Sequence, residues 1–245
     1  MTNFVPVTVT ARLRGGVSYD PPFGLDLAGI LAAQQRMLMR AAAESSGTLA
    51  SAPLPDTTEE EADDYDLPLE RCVLGADWHW SASCVALEAA ASDAEPRPYT
   101  RSADVPWAAA TATLPLPLIS GAKGPYRDAR MPAPVTPAGR AVWQAVGDPG
   151  LIAALLRPVH AIGRRRHVGE GVVLDWTVTA HPDEDPLPWA HLDRRSHMLH
   201  RPVPPECAAA VSAGAVRESW YAIRPPSWHP DRLQRLVVSA GDDEW

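Results

Sequence analysis

The chain has few cysteines, and that scarcity narrows it first. Cys72, Cys84 and Cys207 are far apart and odd in number, so neither a disulfide framework nor a CxxC-type zinc site is indicated, and reduced, buried thiols are expected. No run approaches the roughly 18 uninterrupted apolar residues of a membrane span. The opening MTNFVPVTVTARLRGG has no basic stretch leading into an apolar one, so no membrane partner and a cytoplasmic location are expected. A GxSxG elbow, an HExxH pair and an internal repeat of fixed period are also missing, and no cofactor is expected. What is present is ample apolar material: 46% of 245 residues are hydrophobic, enough for a folded core in one larger domain or two small ones.

Positive charge is short overall but not locally. The net charge is −8, yet Asp56, Glu59, Glu60, Glu61, Asp63, Asp64 and Asp66 form one acidic run without a basic residue, and Asp242, Asp243 and Glu244 close the chain. Between Arg157 and His167, by contrast, lie four arginines and no carboxylate. A polyanion responds to that distribution rather than to the sum.

Periodicity supplies the elements. In FVPVTVTARL, Val5, Val7, Val9, Ala11 and Leu13 alternate as in a half-buried strand. Residues 25–44 read as a helix, with Leu27, Ile30, Leu31, Gln34, Leu38 and Ala42 largely at helical spacing. The acidic, Pro-containing stretch over 45–68 is expected to be a loop. Short strands are expected at 70–74 and 83–87, and loops with a hairpin between Ala109 and Ile119 in the Pro-punctuated region 96–137. Asp148 and Pro149 mark a helix start, Pro158 weakens its last turn, and residues 171–178 read as a strand. The order β-α-β-β-α-β is that of ferredoxin-like, RRM-like α+β domains. A tail helix over 205–213 and strands at 218–223 and 233–239 follow.

The stretch IGRRRHVGEGVVLDW sets Arg164, Arg165, Arg166 and His167 among Gly163, Gly169 and Gly171. Glycines let a backbone take positive φ or approach a partner closely, and guanidinium forks suit phosphate oxygens. Because Gly171 leads into a strand rather than a helix, a mononucleotide cradle is disfavoured. The loop is either a solvated turn or the contact surface of an extended polyanion. A second basic loop, 119–137, carries Lys123, Tyr126, Arg127 and Arg130, charge and a flat ring together, or else is plain exposed surface.

Other chemistry reads weakly. His191, His197 and His200 lie near Asp193, but their spacing fits no familiar zinc pattern, and no metal site is expected. His79, between Trp78 and Trp80, reads as a packed strand histidine. Metal-free RNA cleavage would need a base at the 2′-OH and a cation at the phosphate; Tyr126, His167 and Lys123 are the nearest candidates.

Four stretches together resemble a known family. The G-RRRHV-GEG loop before a strand is similar to the glycine-rich signature of CRISPR-associated RAMP proteins; GLDLAGILAAQQ resembles their first helix, KGPYRDARMP their basic central loop, and AVGDPGLIAALL the helix ahead of the glycine loop. The chain most resembles the type IV, Csf-type subunit that caps the crRNA 5′ handle. That resemblance implies a RAMP ferredoxin-like domain over 1–180, holding the acidic and basic loops, and a C-terminal extension over 181–245 packed on it. It implies crRNA as ligand, with contacts at Gly163, Arg164, Arg165, Arg166, His167, Gly169 and Gly171 and at Lys123, Tyr126, Arg127 and Arg130. Its expected partners are a backbone RAMP subunit and other effector subunits, with the target nucleic acid met through the guide. The expectation is a non-catalytic subunit. The alternatives are a metal-independent endoribonuclease that processes precursor crRNA, and a protein-interaction subunit whose arginines meet acidic surfaces.

Overall fold

The computed structural model describes residues 4–19, 23–46, 65–89, 97–101, 129–133, 135–164, 166, 169–193, 196–227 and 229–240. In chain order its elements are β1 (Val5–Leu13), β2 (Gly16–Val17), α1 (Leu27–Ser45), β3 (Arg71–Cys72), β4 (His79–Trp80), β5 (Ala86–Ala89), β6 (Arg97–Arg101), β7 (Ala129–Ala133), β8 (Thr136–Gly147), α2 (Pro149–Leu156), β9 (Val173–Ala180), α3 (Pro186–His191), α4 (Pro205–Ala210), β10 (Val216–Ala222) and β11 (Leu233–Ser239). The protein is mixed α+β with antiparallel sheets.

Alternation makes β1 as expected: Val7, Val9, Ala11 and Leu13 are buried, while Thr8, Thr10 and Arg12 lie on the opposite face. β1 is central, pairing antiparallel with β8 (Val9 opposite Trp143) and with β9 (Val9 opposite Val178). β5 adds to the far side of β8, giving the order β5-β8-β1-β9, and β2 resumes the pairing with β8 after the turn at Arg14 and Gly15. α1 and α2 cover the face of β1 that alternation makes apolar. Leu27, Ala28, Leu31, Ile152 and Leu156 share one core with Val7, Val9, Ala11 and Trp143. Asp26 caps α1 by accepting from Ala28 N–H, and Asp148 caps α2 by accepting from Gly150 and Leu151 N–H. α2 stops at Leu156, two residues before Pro158.

The sheet departs from the sequence reading in one strand. Residues 70–74 yield only β3, which pairs with β4 outside the main sheet, and the expected strand at 83–87 forms as β5. The strand beside β1 is instead β8, whose TPAGRAVWQAVG is rich in alanine and glycine and so carries little intrinsic strand signal. Its inward positions Ala141, Trp143 and Ala145 are buried because small side chains let α1 and α2 approach a sheet that one tryptophan fills. α1 also differs: burial along it stops at Gln34, and Met37, Leu38 and Met39 are exposed rather than facing the core. The hairpin expected between Ala109 and Ile119 lies outside the described residues, as do residues 47–64 of the acidic loop; β6 and β7 form a separate antiparallel pair.

The C-terminal residues build a second, smaller core from Leu192, Leu199, Val203, Cys207, Ala208, Val211 and Val237, with Cys72 from β3. The two strands expected near the C-terminus form as β10 and β11, which pair antiparallel. Arg201 joins the two cores. Its guanidinium, 3% exposed, donates to the carbonyls of Trp80 and Ala82 at 3.0 Å and of Ile223 at 2.9 Å, and lies 3.9 Å from the Asp26 carboxylate. A buried cation is tolerated only when its donors are met in this way.

Candidate functional site

The glycine and arginine loop is held at its base by its own backbone. Ala161 bridges Val172, Ile162 N–H donates to the Gly171 carbonyl at 2.9 Å, and Val173 N–H to that of His160 at 2.9 Å. Two more bonds tie it to the turn after β1: Gly171 N–H to the Gly16 carbonyl and Arg164 N–H to that of Ser18, at 2.9 and 2.8 Å. Gly163 and Gly171 both have positive φ, +86° and +65°, at these crossings. A Cβ on Gly163 would stand 2.5 Å from the Ser18 carbonyl oxygen, and one on Gly171 would overlap that of Ile162. These two glycines therefore serve close approach of the chain to itself. At Gly169, with φ +88°, a Cβ would meet nothing within 4 Å among the described residues.

The loop forms one wall of a cleft of about 810 Å³ whose other walls are α1, from its cap to Met37, and the β10–β11 hairpin. Among the described residues five arginines line it, Arg36, Arg164, Arg166, Arg201 and Arg224, against a single carboxylate, Asp26. Arg201 is the buried clamp just described, and Arg224 pairs with Asp77 while stacking 4.3 Å above the Trp78 ring. Arg36, Arg164 and Arg166 are exposed and make the cleft electropositive. Tyr19, Phe23 and Tyr221 add partly buried rings, Phe23 and Tyr221 meeting edge to face at 5.3 Å, and Trp220 presents a ring that is 66% exposed. Exposed guanidinium groups beside accessible rings match what a nucleic-acid strand offers, phosphates and flat bases.

Of the residues singled out from sequence, Gly163, Arg164 and Arg166 line this cleft, and Gly169 and Gly171 belong to the same loop. Arg130 lies in β7, its backbone paired with Thr100 of β6. Arg165, His167, Lys123, Tyr126 and Arg127 fall outside the described residues. Arg36, Trp220 and Tyr221 join the cleft without any signal in the sequence. Arg36 looks like any solvated residue of an amphipathic helix, and an exposed tryptophan in a hairpin gains meaning only once the hairpin is seen to face the loop.

A second constellation lies at the smaller core. All three cysteines are free and buried, as expected, but two of them join two histidines. Cys72, His79, His191 and Cys207 bring one ligand-capable atom each to within 4.8 Å of one another. Cys72 Sγ and Cys207 Sγ are 4.0 Å apart, and Nε2 of His79 and Nε2 of His191 are 3.0 Å apart. His79 is indeed packed in a strand, yet its imidazole belongs to this cluster rather than to an inert core. Burial pushes it down to about 4, so it is neutral near pH 7. A hydrogen bond from Cys207, with others from His191 and His79, outweighs burial and pulls the Cys72 thiol well below the ordinary range. Spacing within any one segment gives no sign of such a group; the tertiary fold assembles these four from separate segments. Among the described residues His197 and His200 are not part of it.

An antiparallel α+β scaffold carrying an electropositive, aromatic-lined cleft defines a class of candidate polyanion-binding proteins. Within that class the family is settled by comparison: the family model for CRISPR type IV associated protein Csf3 matches residues 5–237, and the chain belongs to that family. No curated protein matches it. No helix among the described residues is long and apolar enough to cross a membrane.

Proposed function

We propose that this type IV CRISPR-associated protein is a non-catalytic crRNA-binding subunit, capping the 5′ handle of the guide and nucleating a backbone of RAMP subunits. The observation that carries the reading is the cleft, where exposed Arg36, Arg164 and Arg166 and the Trp220 ring face a lining in which Asp26 is the one carboxylate among the described residues. The fold is in keeping with it. The order β5-β8-β1-β9, antiparallel throughout, with α1 leading from β1 to β5 and α2 from β8 to β9, supports a ferredoxin-like RAMP core over 1–180 with 181–245 as an extension. A guide that reads its target by base pairing asks of this subunit only phosphate anchors, stacking and a few base edges.

The test is binding of a labelled guide RNA to the purified protein across a salt series. Replacing Arg36, Arg164 and Arg166 together with alanine is expected to weaken binding and to reduce the log–log salt slope by roughly 0.7 for each phosphate no longer neutralised. Unchanged affinity and slope would return the loop to a solvated turn. Incubation with precursor RNA in EDTA is expected to give binding without cleavage. Specific cleavage at the handle boundary would instead make the protein a metal-independent endoribonuclease.

A further inference from the structure

The smaller core encloses an arrangement that apolar packing does not require. Cys72 comes from β3, His79 from β4, His191 from the last position of α3 and Cys207 from α4, and each turns its ligand-capable atom toward the other three. Around them lie Leu192, Leu199, Val203 and Val211. Polar groups gathered at one point inside an apolar shell are costly unless something satisfies them. The His191 ring is oriented by its Nδ1, which donates to the Leu187 carbonyl at 2.8 Å and so leaves Nε2 with its lone pair. Metal-ligating histidines are held by this kind of backbone bond. Among the described residues Nδ1 of His79 is buried without a partner, and its Nε2 meets Nε2 of His191 in the cluster.

We infer that Cys72, His79, His191 and Cys207 form a closed, structural zinc site. A tetrahedral ion with Zn–S of about 2.3 Å and Zn–N of about 2.0–2.1 Å has a sulfur–sulfur edge of about 3.8 Å and a nitrogen–nitrogen edge of about 3.4 Å. The observed separations are 4.0 and 3.0 Å. Two thiolates and two imidazoles in a tetrahedral set select zinc over the harder divalent ions. Exposures of 7% for Cys72 and 0% for the other three leave no open position for water or substrate, which makes the role structural rather than catalytic. The ion joins the β3–β4 hairpin to α3 and α4. Between Cys72 and His79 sits Asp77, which pairs with Arg224 in the wall of the cleft, so the metal also braces that wall.

Metal content of the full-length protein, expressed with zinc and purified without chelator, tests this directly. Elemental analysis is expected to find one zinc per chain, retained in Cys84→Ser, whose thiol is buried outside the cluster, and lost in Cys72→Ser and His191→Ala. Cobalt exchanged into the wild-type protein is expected to show the intense visible bands of a tetrahedral ion and thiolate charge transfer. Should the ligand variants fail to fold, the cobalt spectrum of the wild type still decides. Folded protein with well below one equivalent of metal that takes up no cobalt would overturn the assignment, as would a weak, octahedral-type cobalt spectrum. None of these readouts involves RNA, so they stand or fall separately from the function proposed above.

Discussion

Gly171 and Ile162 meet backbone to backbone: the Ile162 N–H donates to the Gly171 carbonyl at 2.9 Å, and a Cβ on Gly171 would overlap the Ile162 carbonyl oxygen. The glycine that looks most like part of a ligand cradle is thus a hinge pin of the loop itself. Gly171→Ala is expected to cost about 3 kcal/mol or more, combining the strain of φ +65° with a backbone clash. Gly169→Ala, at φ +88° but with nothing within 4 Å of its Cβ among the described residues, should cost only the left-handed conformation, about 1–2 kcal/mol. Urea denaturation of the two variants checks the order; equal losses would mean that the close approach at Gly171 is not maintained in solution.

Arg201 is expected to be worth far more than any surface arginine. Arg201→Ala leaves three carbonyls and Asp26 without their buried partner and should cost about 3–5 kcal/mol. Arg235→Ala removes a pair with Glu218 in which both side chains are more than half exposed, and should cost less than about 1 kcal/mol. Chemical denaturation of both variants makes the comparison.

Stacking and charge should separate in binding. Trp220→Ala is expected to weaken guide RNA binding by about 1–3 kcal/mol, the range for one stacked base, while keeping the salt slope unchanged because every phosphate stays paired with its cation. Fluorescence anisotropy at several salt concentrations reads both quantities. Unchanged affinity across the salt series would place Trp220 outside the path of the strand.

The pH dependence of stability should carry the mark of Asp26. Burial holds its carboxyl above the usual carboxylate range, against the opposing pull of Arg201 and the N–H of Ala28. In the unfolded chain the group ionises near pH 3.9. Above that value the folded state therefore binds the extra proton, and stability contributed by the protonated form is lost as pH rises through the folded-state pKa. Asn is as good a helix cap and does not ionise. The stability of the wild type relative to Asp26→Asn is expected to decline as pH is raised from about 4, measured by urea denaturation at each pH. The opposite slope would mean that the Arg201 attraction outweighs burial.

Much of the fold is legible in the sequence because it rests on local rules. β1 is plain from its alternation, α1 from its helical spacing, α2 from Asp148 and Pro149 at its start, and β10 and β11 as two strands, whose pairing only the structure shows. β8 is hidden because its inward residues are mostly alanines, which suit close helix packing but have no strand preference of their own. Of the cleft, the sequence offers the loop but not its opposite walls.

By itself the sequence determined the local chemistry of this protein: which segments alternate or turn with helical period, where a helix must start, and that the stretch from Arg157 to His167 holds four arginines and no carboxylate. Only the tertiary structure decided which distant groups meet. It set Arg36 and Trp220 across from Arg164 and Arg166, and brought His79 to His191 across 112 residues of chain. The reason is physical. Hydrophobic burial is non-directional and orders the chain by area, so meetings between remote side chains depend on how sheet, helices and hairpin close over their cores, which no local pattern records.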